Sequence, residues 1–242
     1  MSLIHLPAPQ KLSSVTVEEA ILLRRSIREF REDPIKLEHL SMILWAAYGI
    51  TDPKRGFRAA PSAGATYPLE LYIVIGVNSV YTSDGGYLEA GIYRYIPHTH
   101  SLANLKKGDV RKSLMKAALH QKWIEEAPVS IVICAVYDRT TRYYGERGRS
   151  RYVPIDVGHA GQNIYLMATA LGYGTVAIGA FRDSEVAEVI GSKVDETPIY
   201  IMPVGVPRDR PLISFNDIKR YLDSSREPKS ITGHILLWRR CP

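Results

Sequence analysis

Cysteine is scarce in this chain of 242 residues: Cys134 lies in an apolar run, Cys241 sits beside the C-terminus, and there is no third. Two such residues supply neither a disulfide framework nor a metal-binding spacing, and a reducing cytoplasm is the simplest compartment for them. Histidine offers no metal site either, because His98 and His100 lack further ligands nearby in sequence. No apolar run is long enough to span a bilayer. The nearest, Ile164 to Leu171, is interrupted by Tyr165 and Thr169. The stretch from Met1 to Gln10 is too short for a secretory leader and carries Pro7 and Pro9. There is no internal repeat, and no Gly-x-Gly-x-x-Gly loop of the kind that cradles a dinucleotide.

What is present suits an enzyme domain. Hydrophobic residues make up 45% of the chain and charged residues 23%, enough to bury a substantial core. A single domain over 1–242 is the expectation, with its motifs in about 16–210 and a C-terminal extension over 211–242. That extension reads as polar and irregular up to Ile235-Leu236-Leu237-Trp238, and is expected to wrap over the domain or a partner subunit. Net charge is +6, from 31 basic and 25 acidic residues. Arg139, Arg142, Arg147, Arg149 and Arg151, interleaved with Tyr143, Tyr144 and Tyr152, would suit a nucleic acid. No nucleic-acid motif surrounds them, however, and an anionic cofactor or donor would draw the same basic residues. The cluster reads as one short glycine-containing loop.

Periodicity places helices at about 17–25, 37–48, 110–120, 154–171 and 183–190, and strands near 70–77, 91–96, 129–136, 174–178 and 197–204. Leu37, Leu40, Leu44, Ala47 and Tyr48 form one apolar stripe on the second helix. On the fourth, Val157, Ala160, Ile164, Ala168 and Leu171 do the same, while Tyr165, Leu166 and Met167 add apolar surface elsewhere. Such a helix belongs in a core or against a second subunit. His159 on it reads as a packed, hydrogen-bonded histidine rather than a general acid. Helices and strands mix without strict βαβ alternation, which indicates an α+β fold.

Three segments carry the chemistry. Thr16 and Glu19 are spaced as a capping box, and the helix they start is expected to end in Arg24-Arg25-Ser26-Ile27-Arg28. Forked guanidinium groups beside a hydroxyl can hold a phosphate; cations favoured at a helix C-terminus are the plainer explanation. The second segment, Ala59 to Pro68, is a loop of small residues between prolines that something flat can approach. The third runs from Gln162-Asn163 through Gly172 and Gly174 to Ile178-Gly179-Ala180-Phe181. Gly172 and Gly174 read as a helix stop and turn, whereas Gly179-Ala180 would bare backbone N–H groups at a strand end.

In that order and spacing, these segments resemble the nitroreductase-like flavoprotein family. Leu44-Trp45-Ala46-Ala47-Tyr48-Gly49-Ile50, Gly91-Ile92-Tyr93-Arg94-Tyr95, Gly158-His159-Ala160-Gly161-Gln162-Asn163 and Met202-Pro203-Val204-Gly205 are similar to the branch of thiazole/oxazole-forming peptide dehydrogenases. The resemblance implies a mixed, mostly antiparallel sheet flanked by helices, with a long central helix at a dimer interface. It also implies an obligate homodimer with two FMN sites, each built from both chains. Arg24 and Ser26 would grip the FMN phosphate and ribityl end, with Arg25 assisting or facing outward. Arg28 would be the cation near flavin N1 and O2, where reduction places negative charge. Pro61, Ser62, Ala63 and Gly64 of the other subunit would lie along the ring edge. Many relatives have an asparagine in this loop where this chain has Ala65. Ile178 would belong to the cofactor site, Gly179 or Ala180 would present a backbone N–H to N5, and Arg208 and Arg210 would form a second phosphate clamp.

The resemblance further implies an NAD(P)H-dependent oxidoreductase working by ping-pong hydride transfer to a nitroaromatic or quinone, with no side chain strictly required as a catalyst. In the azoline-oxidising relatives a Lys-Tyr pair takes part in proton removal. Here the matching stretch is Thr140-Thr141-Arg142-Tyr143-Tyr144-Gly145, with tyrosine in place of the lysine. A tyrosine, with a pKa of about 10, is a poor base near neutrality. Tyr143 and Tyr144 are therefore expected to meet the substrate rather than to deprotonate it. The alternatives are a peptide azoline dehydrogenase acting with a partner protein, and a non-catalytic flavin- or nucleic-acid-binding module. No metal and no membrane are expected.

Overall fold

Leu69, Leu71, Ile73 and Ile75 pack into one apolar core while Tyr72 and Val74, between them, pack into another. The same alternation divides Val129, Ile131, Ile133 and Ala135 from Val132 and Cys134. Strands buried on both faces need helices on both sides. The computed structural model, which describes residues 3–226, supplies them.

In chain order the first half contains β1 (Leu3–His5), α1 (Val17–Leu23), β2 (Ile35–Lys36), α2 (Leu37–Tyr48), β3 (Ile50–Asp52), β4 (Phe57–Arg58), β5 (Leu69–Ile75), β6 (Val80–Tyr81), β7 (Gly91–Ile96) and β8 (Ser101–Lys107). The second half contains α3 (Arg111–Ala117), α4 (Trp123–Glu126), β9 (Val129–Ala135), α5 (Asp138–Tyr144), α6 (Val153–Ala170), β10 (Gly174–Thr175), α7 (Asp183–Ile190), β11 (Thr197–Gly205) and α8 (Phe215–Arg226). Seven strands form one sheet in the order β1-β8-β7-β5-β9-β11-β10, every pair antiparallel. A short parallel pair, β2 with β6, and a hairpin, β3 with β4, stand outside it. Residues of α2 and α6 fill the core on one face, those of α3, α4 and α7 the core on the other. This is the expected α+β architecture.

The described residues divide into two compact units after Pro211. Within the second, α8 replaces the irregular structure expected after Pro211. Ser214 and Asp217 cap each other there: the Ser214 hydroxyl donates to Asp217 at 2.6 Å, and the Asp217 N–H donates to Ser214 Oγ at 3.3 Å. Ile235 to Trp238 and Cys241 lie outside the described residues.

Several local expectations are corrected. Helix α1 begins at the expected capping box, with the Glu19 N–H donating to Thr16 Oγ1 at 3.2 Å and the Thr16 N–H to Glu19 at 2.8 Å. It ends at Leu23, and Arg24 leaves it with extended dihedrals (φ −57°, ψ 125°). The arginines thus follow the helix in a non-helical segment, held by an isolated bridge at Ser26, rather than forming its last turn. The strand expected at 174–178 is two residues long, continued only by an isolated bridge from Ile178 to Ile201. The basic run is no loop: Arg139 and Arg142 lie on α5, and Arg149 and Arg151 on a π-helical turn, Gly148–Tyr152. A helix here presents alternate faces, so one side can line a cavity.

Helix α6 buries Val153, Asp156, Val157, Ala160, Gly161, Ile164, Tyr165 and Ala168. Its opposite face, with Pro154, Ile155, Gly158, His159 and Gln162, is open to solvent. His159 is therefore not the packed histidine expected. The helix is covered on most sides as its apolar residues imply over 163–170, where no residue is exposed, and its open face is confined to 154–162. A buried carboxylate also ties the sheet: Glu196, 3% exposed, meets Tyr72 and lies 3.2 Å from Arg94, which also pairs with Glu70 at 2.8 Å.

Candidate functional site

The segment after α1 runs alongside β10. Ser26 bridges Thr175 in parallel, and the Ile27 N–H donates to the Thr175 carbonyl at 2.9 Å. This approach requires a glycine at 174, where a Cβ would come within 2.8 Å of the Ile27 side chain. Gly174 therefore serves close packing rather than a turn. Gly172, with φ of 83°, does provide the turn.

Tyr165 of α6 gathers this region. Its hydroxyl lies 3.0 Å from Ser26 Oγ and accepts the Ala177 N–H at 2.8 Å, and the Arg24 guanidinium stacks 5.1 Å from its ring centre. Arg25 turns back to donate to the Leu22 and Arg24 carbonyls at 2.9 and 2.7 Å. Arg28 projects over the Trp123 ring at 5.8 Å. Nearby, Ile178 is tied to Ile201 in both directions, after which Gly179 and Ala180 emerge exposed. Their N–H groups donate to no protein acceptor among the described residues, although Gln121 holds the Ala180 carbonyl at 2.8 Å. The Trp123 indole N–H and the Thr175 hydroxyl are buried without a partner among the described residues. Buried polar groups without protein partners concentrate where a ligand or water completes them.

A second group forms around the small-residue loop. The Ser62 hydroxyl donates to Asp156 of α6 at 2.6 Å and accepts the Tyr67 N–H at 3.0 Å. Asp156 is 2% exposed, and burial raises its pKa above the usual carboxylate range despite the Ser62 and Ala63 hydrogen bonds. Gly64 and Ala65 adopt left-handed dihedrals, with φ of 59° and 51°. Gly64 is also pinned by space, because a Cβ would meet the Tyr144 hydroxyl at 2.5 Å. The loop residues Gly64, Ala65 and Thr66 and the α5 residues Arg139, Arg142, Tyr143 and Tyr144 line one cavity of about 530 Å³.

The two groups hang on one helix. Tyr165 and Asp156 stand nine positions apart, about 13 Å along α6. Arg24, Ser26, Ile178, Gly179 and Ala180 lie in one group, and Ser62, Ala63, Gly64 and Tyr144 in the other. Arg210 donates to the Gly172 carbonyl at 2.8 Å, beside the first group. Arg208 faces a different depression, shared with Glu125 and Glu126.

Sequence reasoning missed Asp156 and Tyr165. Asp156 had a signal, as the lone carboxylate of the helix. Tyr165 read as apolar surface, and its hydroxyl contacts are visible only in the fold. His100, dismissed as a metal ligand, hydrogen-bonds through its two ring nitrogens to Tyr95 at 2.8 Å and Ser41 at 2.6 Å. Among the described residues no cluster of three potential metal ligands occurs, and no helix is long and apolar enough to cross a membrane.

Comparison with known proteins matches residues 21–206 to the nitroreductase family. The chain is 48% identical over 198 residues to MJ1384 of Methanocaldococcus jannaschii, which carries a nitroreductase name; the match covers 80% of this chain and 92% of that one. It is 22% identical to the trifolitoxin operon protein TfxC of Rhizobium leguminosarum bv. trifolii, over 81% of this chain and 57% of TfxC. A crystal structure of a nitroreductase-named protein from Ralstonia eutropha matches with a TM-score of 0.73 at 27% identity, over 86% of this chain and 90% of that chain.

Proposed function

Because this chain belongs to the nitroreductase family, we propose that it is an FMN-dependent oxidoreductase passing hydride equivalents from NAD(P)H to a small electrophile of nitroaromatic or quinone type. In this reading it works as a homodimer in the cytoplasm, with each site built from both chains. The observation that carries it is the Arg24–Arg28 segment, set through Tyr165 beside the bare N–H groups of Gly179 and Ala180. A phosphate-binding end and a donor pair for an electron-accepting edge are thereby held on one rigid support. A Cβ added at Gly179 would make an ordinary contact with the Tyr200 ring, at 3.8 Å.

FMN, when bound, supplies the two-electron chemistry. Arg24 and Ser26 hold its phosphate and ribityl end, with Arg25, already turned onto the helix terminus, assisting. Arg28 places its charge near N1 and O2 and lowers the energy of negative charge at that edge. Gly179 or Ala180, following Ile178, donates a backbone N–H at N5. Pro61, Ser62, Ala63 and Gly64 come from the partner chain and lie along the ring. Ser62 already donates to Asp156, so the loop contributes backbone and shape rather than that hydroxyl. Of the proposed second phosphate clamp, Arg210 is better placed than Arg208, which shares its depression with Glu32, Glu125 and Glu126. Tyr143 and Tyr144 face the acceptor.

A second reading, peptide azoline oxidation with a partner protein, is favoured by the likeness to TfxC and weakened by Tyr143 standing in place of the lysine. Purification and denaturation test both readings. Released FMN, together with reduction by NADH or NADPH in stopped flow and turnover of free quinones, supports the first. FAD, or a colourless protein, overturns it.

A further inference from the structure

The cavity beside the loop carries an uncompensated positive charge. Seven residues line it, from Gly64–Thr66 and from α5, and none is a carboxylate. Of its two guanidinium groups, that of Arg139 is neutralised by Glu70 and also donates to the Tyr67 carbonyl at 3.0 Å. Arg142 donates only through Nε, to the Asp138 carbonyl at 3.2 Å, and pairs with no acid among the described residues. The surrounding stretch 138–151 holds five arginines against Asp138 and Glu146. Arg147 and Arg149 stack on Tyr152 and Tyr137 at 6.0 and 4.3 Å. The walls are aromatic as well as cationic: Tyr144 touches the Gly64 position and packs edge-on against Tyr152 at 4.9 Å, while Tyr143 is 72% exposed.

We propose that this cavity is the acceptor pocket and that it selects planar aromatic acceptors bearing an anionic substituent, a carboxylate or sulfonate, which Arg142 receives. The proposal rests on the oxidoreductase reading above and adds to it the substrate class. The ring lies against Tyr143 and Tyr144, and the fork of Arg142 meets the two oxygens of the anion. For a quinone of this class the balance is simple. The acceptor takes up two electrons and two protons to become a hydroquinone; a reduced nicotinamide provides the electrons and solvent completes the protons. Nicotinamide donors are anionic too, so donor and acceptor have to be separated by experiment.

The test uses the protein as purified, with Arg142→Gln and Arg142→Lys. Calorimetry with naphthalene-2-sulfonate, a ligand that cannot be reduced, reads the cavity without turnover. Arg142→Gln is expected to weaken it about fivefold, as for a solvent-accessible ion pair, and Arg142→Lys to restore part of the loss. In steady state, the KM for 1,4-naphthoquinone-2-sulfonate relative to that for 1,4-naphthoquinone should rise by a similar factor, while the KM for NADH holds. A rise confined to the NADH KM assigns Arg142 to the donor and overturns the proposal, as does unchanged sulfonate binding. If the protein holds no flavin and reduces neither quinone, the oxidoreductase reading fails, and the calorimetry alone still reports whether the cavity binds the anion.

Discussion

At the residue scale, charge placement decides most of what can be tested. Arg28 stands away from the Tyr165 support, over Trp123, while Arg24 and Ser26 share that support. Replacing Arg28 with alanine should therefore lower the bound flavin's reduction potential and slow hydride uptake more than it weakens FMN binding, measured by dye-equilibrated potentiometry and stopped flow. Lost binding at an unchanged potential would move Arg28 to the phosphate end. His100 supports a stability prediction. It is half-buried against Tyr95, Ser41 and the Pro7 carbonyl, and that desolvation lowers its pKa below the ordinary histidine value. A depressed folded pKa means that the unfolded chain binds more protons, so stability is complete above about pH 6.5 and lost as pH falls through and below that value. His39, depressed in the same direction by burial against Tyr173, adds to the loss. The melting temperature should fall between pH 7 and pH 5, and less steeply in a His100→Gln protein that starts lower.

At the element scale, α1 and β10 position the first group of site residues. Thr16→Ala removes one half of the capping box and should cost about 1 kcal/mol in denaturant unfolding. Gly174→Val is the sharper test of the site. The added side chain meets Ile27 at its Cβ and γ carbons, not at a flexible tip, so the segment carrying Ser26 has to move. Flavin occupancy should drop by an order of magnitude or more while far-UV dichroism stays near wild type; full occupancy would show that the close approach is dispensable. The elements legible in sequence were those with strong periodicity. The central strands and α2, α6 and α7 fall within a residue or two of expectation, because their apolar residues repeat at two or 3.6. Helix α5 was missed because its sequence, Asp138 to Tyr144, is polar throughout and takes its position from Arg139 on Glu70 and from a buried Thr140. The end of α1 was misplaced because arginine is a good helix former, whereas pairing with Thr175 pulls Arg24 to Arg28 out of the helix. Tertiary pairing outweighed propensity there.

At the scale of the whole molecule, the division of site residues along α6 requires a second chain in the proposed function. An Arg24→Glu protein repels the phosphate, and a Ser62→Trp protein blocks the loop while breaking the bond to Asp156. Each homodimer should bind FMN poorly. Co-expressed, the two should form heterodimers with one intact site, recovering about half the flavin per heterodimer; heterodimers without flavin would rule out the shared site. In such a dimer the open face of α6, with Ile155 and His159, would be covered. The order of strands has another consequence, for synthesis. In the central sheet β5 pairs with β9 (Leu69 with Ala135), and β9 in turn pairs with β11 (Val129 with Val204), so neighbours in space are dozens of residues apart in the chain. Such long-range pairings form slowly because the loops must close before contacts repay them. The ribosome releases β5 and β9 well before β11, leaving an apolar strand edge uncovered in the meantime. The nascent chain is thus most exposed to aggregation or to a chaperone between the emergence of Ala135 and that of Gly205.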